Sequence, residues 1–222
     1  MPSSRATPHS DANYRKVLAW VDLSAAYADR GEHRKARELL GRALNSAVRI
    51  RDRLDKFLAL SATAMAHIHY GDHEQALRLA RKVQSSYSDG VNLSLVAGAF
   101  AEAGRFEKGL KVAEMIRDPQ ERAIALAEVA SGFAKRGHIE RALWMARTIK
   151  QPGGKFNAFQ HLASIRLESG QYLEALQAVK EIPLRHIQAE MLVTIAMKYA
   201  EAGEYPGPTE KQILREIALE LG

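Results

Sequence analysis

Six glycines, Gly31, Gly71, Gly104, Gly137, Gly170 and Gly203, stand 40, 33, 33, 33 and 33 residues apart. A fixed period of this size marks a stacked repeat, because a unit this short cannot bury an apolar face alone. The stretch from Ala127 to Ile149, AEVASGFAKRGHIERALWMARTI, gives the unit in its clearest form. Two amphipathic runs meet at Lys135-Arg136-Gly137.

Aligned on the glycines, columns of like residues emerge. Eleven residues before the glycine stand Trp20, Leu60, Leu93, Leu126, Phe159 and Leu192. Seven before it stand Ser24, Ala64, Ala97, Ala130, Ala163 and Ala196, all small. Four before it stand Tyr27, His67, Phe100, Phe133, Arg166 and Tyr199. Steps of four, three and four place the columns on one helical stripe, and the small column lets a neighbouring helix come close. After the glycine, Ala36, Ala76, Gly109, Ala142 and Ala175 begin a second stripe. It continues through Leu40, Ala80, Ala113, Ala146 and Val179 to Ala43, Val83, Ile116, Ile149 and Ile182. The glycine suits the left-handed residue that ends a helix, since it has no Cβ to strain there.

Starts are marked too. Asp118-Pro119-Gln120-Glu121 offers a cap, a first-turn proline and a carboxylate three residues past the cap. Pro152 and Pro183 punctuate the next two junctions. The longer first spacing adds seven residues, about two helical turns, which predicts longer helices with unrotated faces. At the other end Pro206-Gly207-Pro208 interrupts the second stripe. A terminal capping helix is expected over 209–221, opened by Thr209 with Gln212 as its capping-box partner.

These columns resemble the tetratricopeptide repeat, a helix–turn–helix unit of 34 residues. The likeness covers roughly residues 12 to 203, with a period one residue shorter. The fold it implies is all-α, a right-handed superhelical solenoid of about six such repeats with a C-terminal capping helix. Residues 1–10 read as a disordered tail, with Ser10 or Asp11 capping the first helix, and 11–222 as one solenoid domain.

The resemblance also implies a concave groove floored by the first helix of each unit. Carried over by offset, that floor is Leu58, Ser61, Met65 and Ile68, then Val91, Ser94, Gly98 and Ala101. It continues with Ile124, Ala127, Ser131 and Ala134, then Asn157, Gln160, Ser164 and Leu167. Such a floor accepts an apolar peptide or helix, unless tight winding closes the groove. The edge column is Asp29, His69, Glu102, Lys135, Glu168 and Glu201, which favours a protein partner with basic residues. Some members clamp a partner's C-terminal carboxylate with lysine, asparagine and arginine. The matching positions, Val21, Ala25, Ala62, Val91 and Leu95, supply no such donors.

Composition narrows the remaining functions. Cysteine is absent, which excludes disulfides, a thiol nucleophile and a cysteine zinc site. No apolar run approaches a membrane span and Met1 to Ser10 lacks a signal-peptide core, so a cytoplasmic, non-membrane protein is expected. His67, His69 and His73 lie in HIHYGDH, but a hinge glycine divides them and His67 occupies an aromatic packing column. They read as packing and surface histidines rather than a metal site. Gly153-Gly154-Lys155 lacks the strand, the upstream glycine and the following hydroxyl of a phosphate loop. No catalytic arrangement recurs at a defined spacing, so neither an enzyme nor a cofactor is expected.

The charge is uneven. The chain carries +6, and residues 1–53 hold 11 Lys and Arg against 6 Asp and Glu. Read as one helix, Lys35, Arg42, Arg49 and Arg53 share a face at steps of seven, seven and four. The leading expectation is a protein-interaction scaffold of undetermined oligomeric state. The alternative is a nucleic-acid-associated protein contacting phosphates through this basic stripe.

Overall fold

The computed structural model describes residues 12–86 and 91–221; the expected tail and its suggested caps Ser10 and Asp11 lie outside them. Every regular element among the described residues is an α-helix. In order they are α1 (Ala12–Asp29), α2 (His33–Ala47), α3 (Arg53–His69), α4 (His73–Ser86), α5 (Val91–Glu102) and α6 (Phe106–Met115). Then come α7 (Pro119–Lys135), α8 (Ile139–Thr148), α9 (Pro152–Glu168), α10 (Tyr172–Lys180), α11 (Arg185–Ala202) and α12 (Pro208–Leu221). None is long and apolar enough to cross a membrane.

Each hinge glycine is left-handed, with φ between 67 and 82°. The residue after it donates its N–H to the carbonyl of the residue four before it. These bonds run from Glu32 to Tyr27, Asp72 to His67, Arg105 to Phe100, His138 to Phe133, Gln171 to Arg166 and Glu204 to Tyr199, at 2.8–3.0 Å. This six-to-one closure satisfies a carbonyl that the helix end leaves free and turns the chain back within three residues. At the start of α7, the Asp118 carboxylate accepts the N–H groups of Gln120 and Glu121 at 2.9 Å.

Helices that pack substantially on one another lie one or two places apart in the chain. The odd-numbered helices α1, α3, α5, α7 and α9 pack directly, each on the next. The small column is buried from Ser24 through Ala163, and every residue of the three second-stripe columns is buried. Aromatic rings bridge successive units. Phe106, two residues past its hinge, stacks on Phe133, four before the next, with ring centroids 3.9 Å apart and planes 8° from parallel. Tyr172 and Tyr199 repeat the pair at 4.2 Å, and His73 and Phe100 at 6.1 Å.

The seam between α5 and α7 is a backbone-to-backbone approach. A Cβ added to Gly132 would lie 2.4 Å from Ala101 Cβ and 2.9 Å from the Ala101 carbonyl carbon. Gly154 approaches Ala123 in the same way between α7 and α9. This close approach accounts for Gly154 of the Gly153-Gly154-Lys155 stretch, whereas an added Cβ at Gly153 would meet only Gln120 Oε1 at 4.0 Å. The seam ends at α11, which packs on α10 and α12 but forms no comparable contact with α9. Leu167 and Lys198 there take the places of Ala101 and Gly132 by offset, too bulky for backbones to meet.

Two local expectations are corrected. The seven extra residues of the first spacing do not all extend helices: α2 has 15 residues against 10 in α6 and α8, and the rest lengthen the connector 48–52. At the far end α12 begins at Pro208, not Thr209. The Gly207 carbonyl accepts from Lys211 N–H at 3.0 Å, and Gln212 reaches forward to Glu216 instead of capping Thr209. Proline prefers this first helical position, where its missing N–H has no partner to lose.

Candidate interaction surfaces

The proposed groove floor divides by depth. Ser61, Ile68, Ser94, Gly98, Ala101, Ala127, Ser131, Ala134 and Leu167 are buried, whereas Leu58, Met65, Ile124, Asn157, Gln160 and Ser164 are half-buried. The side chain of Val91 lies outside the described residues. The offsets do lie on one side of each first helix, but in α5 and α7 that side faces the neighbouring helix closely enough to bury it. The half-buried members are open to solvent without the helices parting. Between α3 and α5 the row opens into a pocket of about 360 Å³ lined by Met65, Ile68, His69, Ala99, Glu102 and Ala103. The acidic edge is partly neutralised within the chain. Glu102 pairs with Lys135, and Glu201 with Lys198 at 2.7 Å.

The histidines separate by environment. His67 is buried in the aromatic column, its Nδ1 3.2 Å from Asp72 Oδ2. Burial pushes its pKa below the ordinary 6.5, against the opposing pull of Asp72. His73 Nε2 accepts from Arg105 Nε at 2.9 Å. Its pKa is also lowered, first by burial and then by the Arg105 and Lys108 charges. His69 packs edge-on to Tyr70, with centroids 5.2 Å apart. Among the described residues no group of three or more His, Asp or Glu side chains could hold a metal.

The basic stripe is not one helical face. Helix α2 ends at Ala47, Arg49 lies in the following turn, and Arg53 is the first residue of α3. Only Lys35 and Arg42 share a face of α2. Lys35 pairs with Glu32 at 2.6 Å and Arg42 with Glu38 at 2.7 Å, so local carboxylates already engage both cations. Ile50, buried in the connector, and Asp52 explain the break. The Asp52 carboxylate accepts the Asp55 N–H at 2.8 Å and so starts a new helix.

Comparison with known proteins adds no relative. No family model, no curated protein and no solved structure matches the chain. Its surfaces are therefore read from their own chemistry.

One apolar opening was missed in the sequence. Between α11 and α12 lies a pocket of about 400 Å³, lined by Leu192, Ala196, Tyr199, Ala200, Tyr205 and Leu214 among others. Beside it Val193 and Met197 are 61% and 58% exposed, and Tyr205 is 88% exposed. Ala196 belongs to the small column that is buried in every earlier unit. The signal that could have found it is the Pro206-Gly207-Pro208 interruption, which delays α12 and leaves α11 uncovered at its end.

Proposed function

We propose that this chain is a tetratricopeptide-like solenoid of six helix pairs, the last helix serving as its cap, and that it acts as a non-catalytic scaffold binding a peptide or helix of a protein partner. What supports the architecture is the agreement of hinge, small and aromatic columns with the left-handed glycines, the buried stripes and packing confined to near neighbours in the chain. The observation that carries the binding reading is the opening between α3 and α5. There half-buried Met65 from one first helix and Ala99 from the next present apolar surface, with buried Ile68 beneath them, beside exposed Glu102. Apolar anchors rimmed by polar groups suit an amphipathic segment, whose burial would supply most of its affinity.

The test is site-specific photo-cross-linking. A cross-linker at Ile124 should capture one protein partner, and Met65→Glu in the same chain should cut that yield at least tenfold while far-UV circular dichroism is unchanged. Cross-linkers at the exposed Lys111 and Glu140 serve as controls. Equal yields from these outer positions would refute the groove.

A further inference from the structure

We propose that copies of this chain associate head to tail, α1 of one copy seating on α11 of the next. The inference is independent of the groove reading and rests on what the two ends leave open. Inside the chain, the residue eight before the fourth hinge shows how this position meets the unit before it. Val129 comes within 3.4 Å of where a Gly109 Cβ would stand. That column reads Leu23, Thr63, Val96, Val129, Leu162 and Ile195. From Thr63 to Ile195 it is buried, whereas Leu23 is 45% exposed. The small column runs beside that contact, the Ala97 carbonyl oxygen lying 2.7 Å from the same Gly109 Cβ position, and it shows the mirror image, buried from Ser24 to Ala163 and exposed only at Ala196. Among the described residues, one end thus presents an insertion with nothing to enter. The other presents an apolar pocket of about 400 Å³ that no described residue fills.

The aromatic pairs make the same match. Phe106 with Phe133 and Tyr172 with Tyr199 join the position two after one hinge to the position four before the next. The members left over are Tyr205 at the C-terminal end and Tyr27 at the N-terminal end, over whose ring Lys35 Nζ lies 5.1 Å from the centroid. A second copy brings Tyr27 onto Tyr205.

Charge distinguishes a second copy from a generic apolar helix. Residues 1–53 carry 11 Lys and Arg against 6 Asp and Glu, while residues 184–222 carry 4 against 6. The ends therefore have opposite net charge, which steers unlike ends together and keeps like ends apart. Arg136, whose guanidinium lies 3.4 Å from where a Gly104 Cβ would stand, corresponds by offset to Arg30. Arg30 would sit over Gly203 beside Glu204. One pairing is unfavourable, Asp29 against Glu201, and Lys198 already holds Glu201 at 2.7 Å. Because the two faces differ, each added copy leaves a free face at both ends, and association does not stop at two unless a ring closes.

Sedimentation velocity on the full chain tests this. One helix seam is a small interface, so concentrations should run from roughly 10 μM to about 1 mM. The weight-average mass of the parent should rise past that of a dimer without a plateau. Leu23→Glu and Met197→Glu, both at exposed positions, should each weaken association at least tenfold while remaining folded by circular dichroism. Mixed together they should form a 1:1 dimer and nothing longer, because each keeps one intact face. The chain has no cysteine, so a Leu23→Cys/Ala196→Cys double variant treated with a short bis-maleimide should give a ladder of linked copies. Either single cysteine variant should give a dimer at most. A parent that stays monomeric, one that plateaus at two copies, or a mixture of variants that fails to pair would overturn the proposal.

Discussion

Gly132→Ala tests the closeness of the α5–α7 seam. In an isolated helix the substitution would be favourable by about 1 kcal/mol, because glycine has more backbone entropy to lose. Here the new methyl would sit 2.4 Å from Ala101 Cβ and 2.9 Å from both Ala101 C and Glu102 N. Carbon atoms rest roughly 3.5–4 Å apart, so the two helices must separate by about 1 Å or more. Overpacking of this kind costs about 1–3 kcal/mol, and two of the three clashes are with backbone, which cannot rotate away. The upper end of that range therefore applies, leaving a net destabilisation of about 2 kcal/mol after the propensity gain. For a chain of this length that lowers the melting temperature by about 4–8 °C. Gly41 in α2 is the control, exposed and with nothing within 4 Å of an added Cβ. Gly41→Ala should gain up to about 1 kcal/mol. Thermal and urea melts followed by circular dichroism read both signs. A Gly132→Ala protein as stable as its parent would mean that the backbones of α5 and α7 do not meet.

Three further outcomes are expected. Gly137→Val should lose about 1–2 kcal/mol or more from backbone strain, since φ is 82° and no atom crowds an added Cβ; Gly137→Asn should lose less in the same urea melts. Ala142→Leu, at a fully buried site, should cost about 1–3 kcal/mol by overpacking. His67→Phe places the column's usual ring where a buried imidazole now titrates below 6.5. As pH falls through 6.5 the unfolded chain takes up this proton before the folded one. The parent therefore loses stability below that pH until the folded value is reached, and this share of the loss vanishes in the variant. The advantage of His67→Phe should grow between pH 8 and pH 5, and a melting-temperature difference constant with pH would refute that account.

The fold was legible where a residue type has one backbone use or one packing use. Six glycines, the last five of them at a period of 33, announced six left-handed turns, and all six are found. The small column at Ala64, Ala97, Ala130 and Ala163 announced close helix contact, and all four are buried. The break at 48–52 was hidden because neither glycine nor proline marks it. Arg49 and Arg53 continued a plausible helical spacing, and only Asp52, three residues before Asp55, signalled a new start. The depth of the groove was hidden for a different reason. Offsets tell which side of a helix a residue occupies, but not how far away the next helix stands. That distance depends on Gly98, Ala101 and Gly132 in one seam, and on Leu167 and Lys198 in another. Ser94 and Ser131 are buried as a result, while Ser164 in the same column as Gly98 and Ser131 remains half-buried beside the wider α9–α11 gap.

The ends follow from the same physics with one neighbour removed. A residue that belongs in the interior of a stack differs from a surface residue only by the helix that covers it. Leu23 and Val129 occupy one column, and Ala196 and Ala130 another, so composition cannot tell the covered member from the open one. Position in the array can. A terminal unit usually carries polar residues on its outer face to keep the stack soluble. Helix α11 does so only on the side toward α9, with Glu190, Thr194 and Lys198, and keeps Val193, Met197 and Ala200 on the side where another unit would lie. The polar side borders the wider gap toward α9, and among the described residues no helix covers Val193 and Met197, the reverse of what a closed end requires. An end of this composition resists water less by its own chemistry than by what comes to cover it.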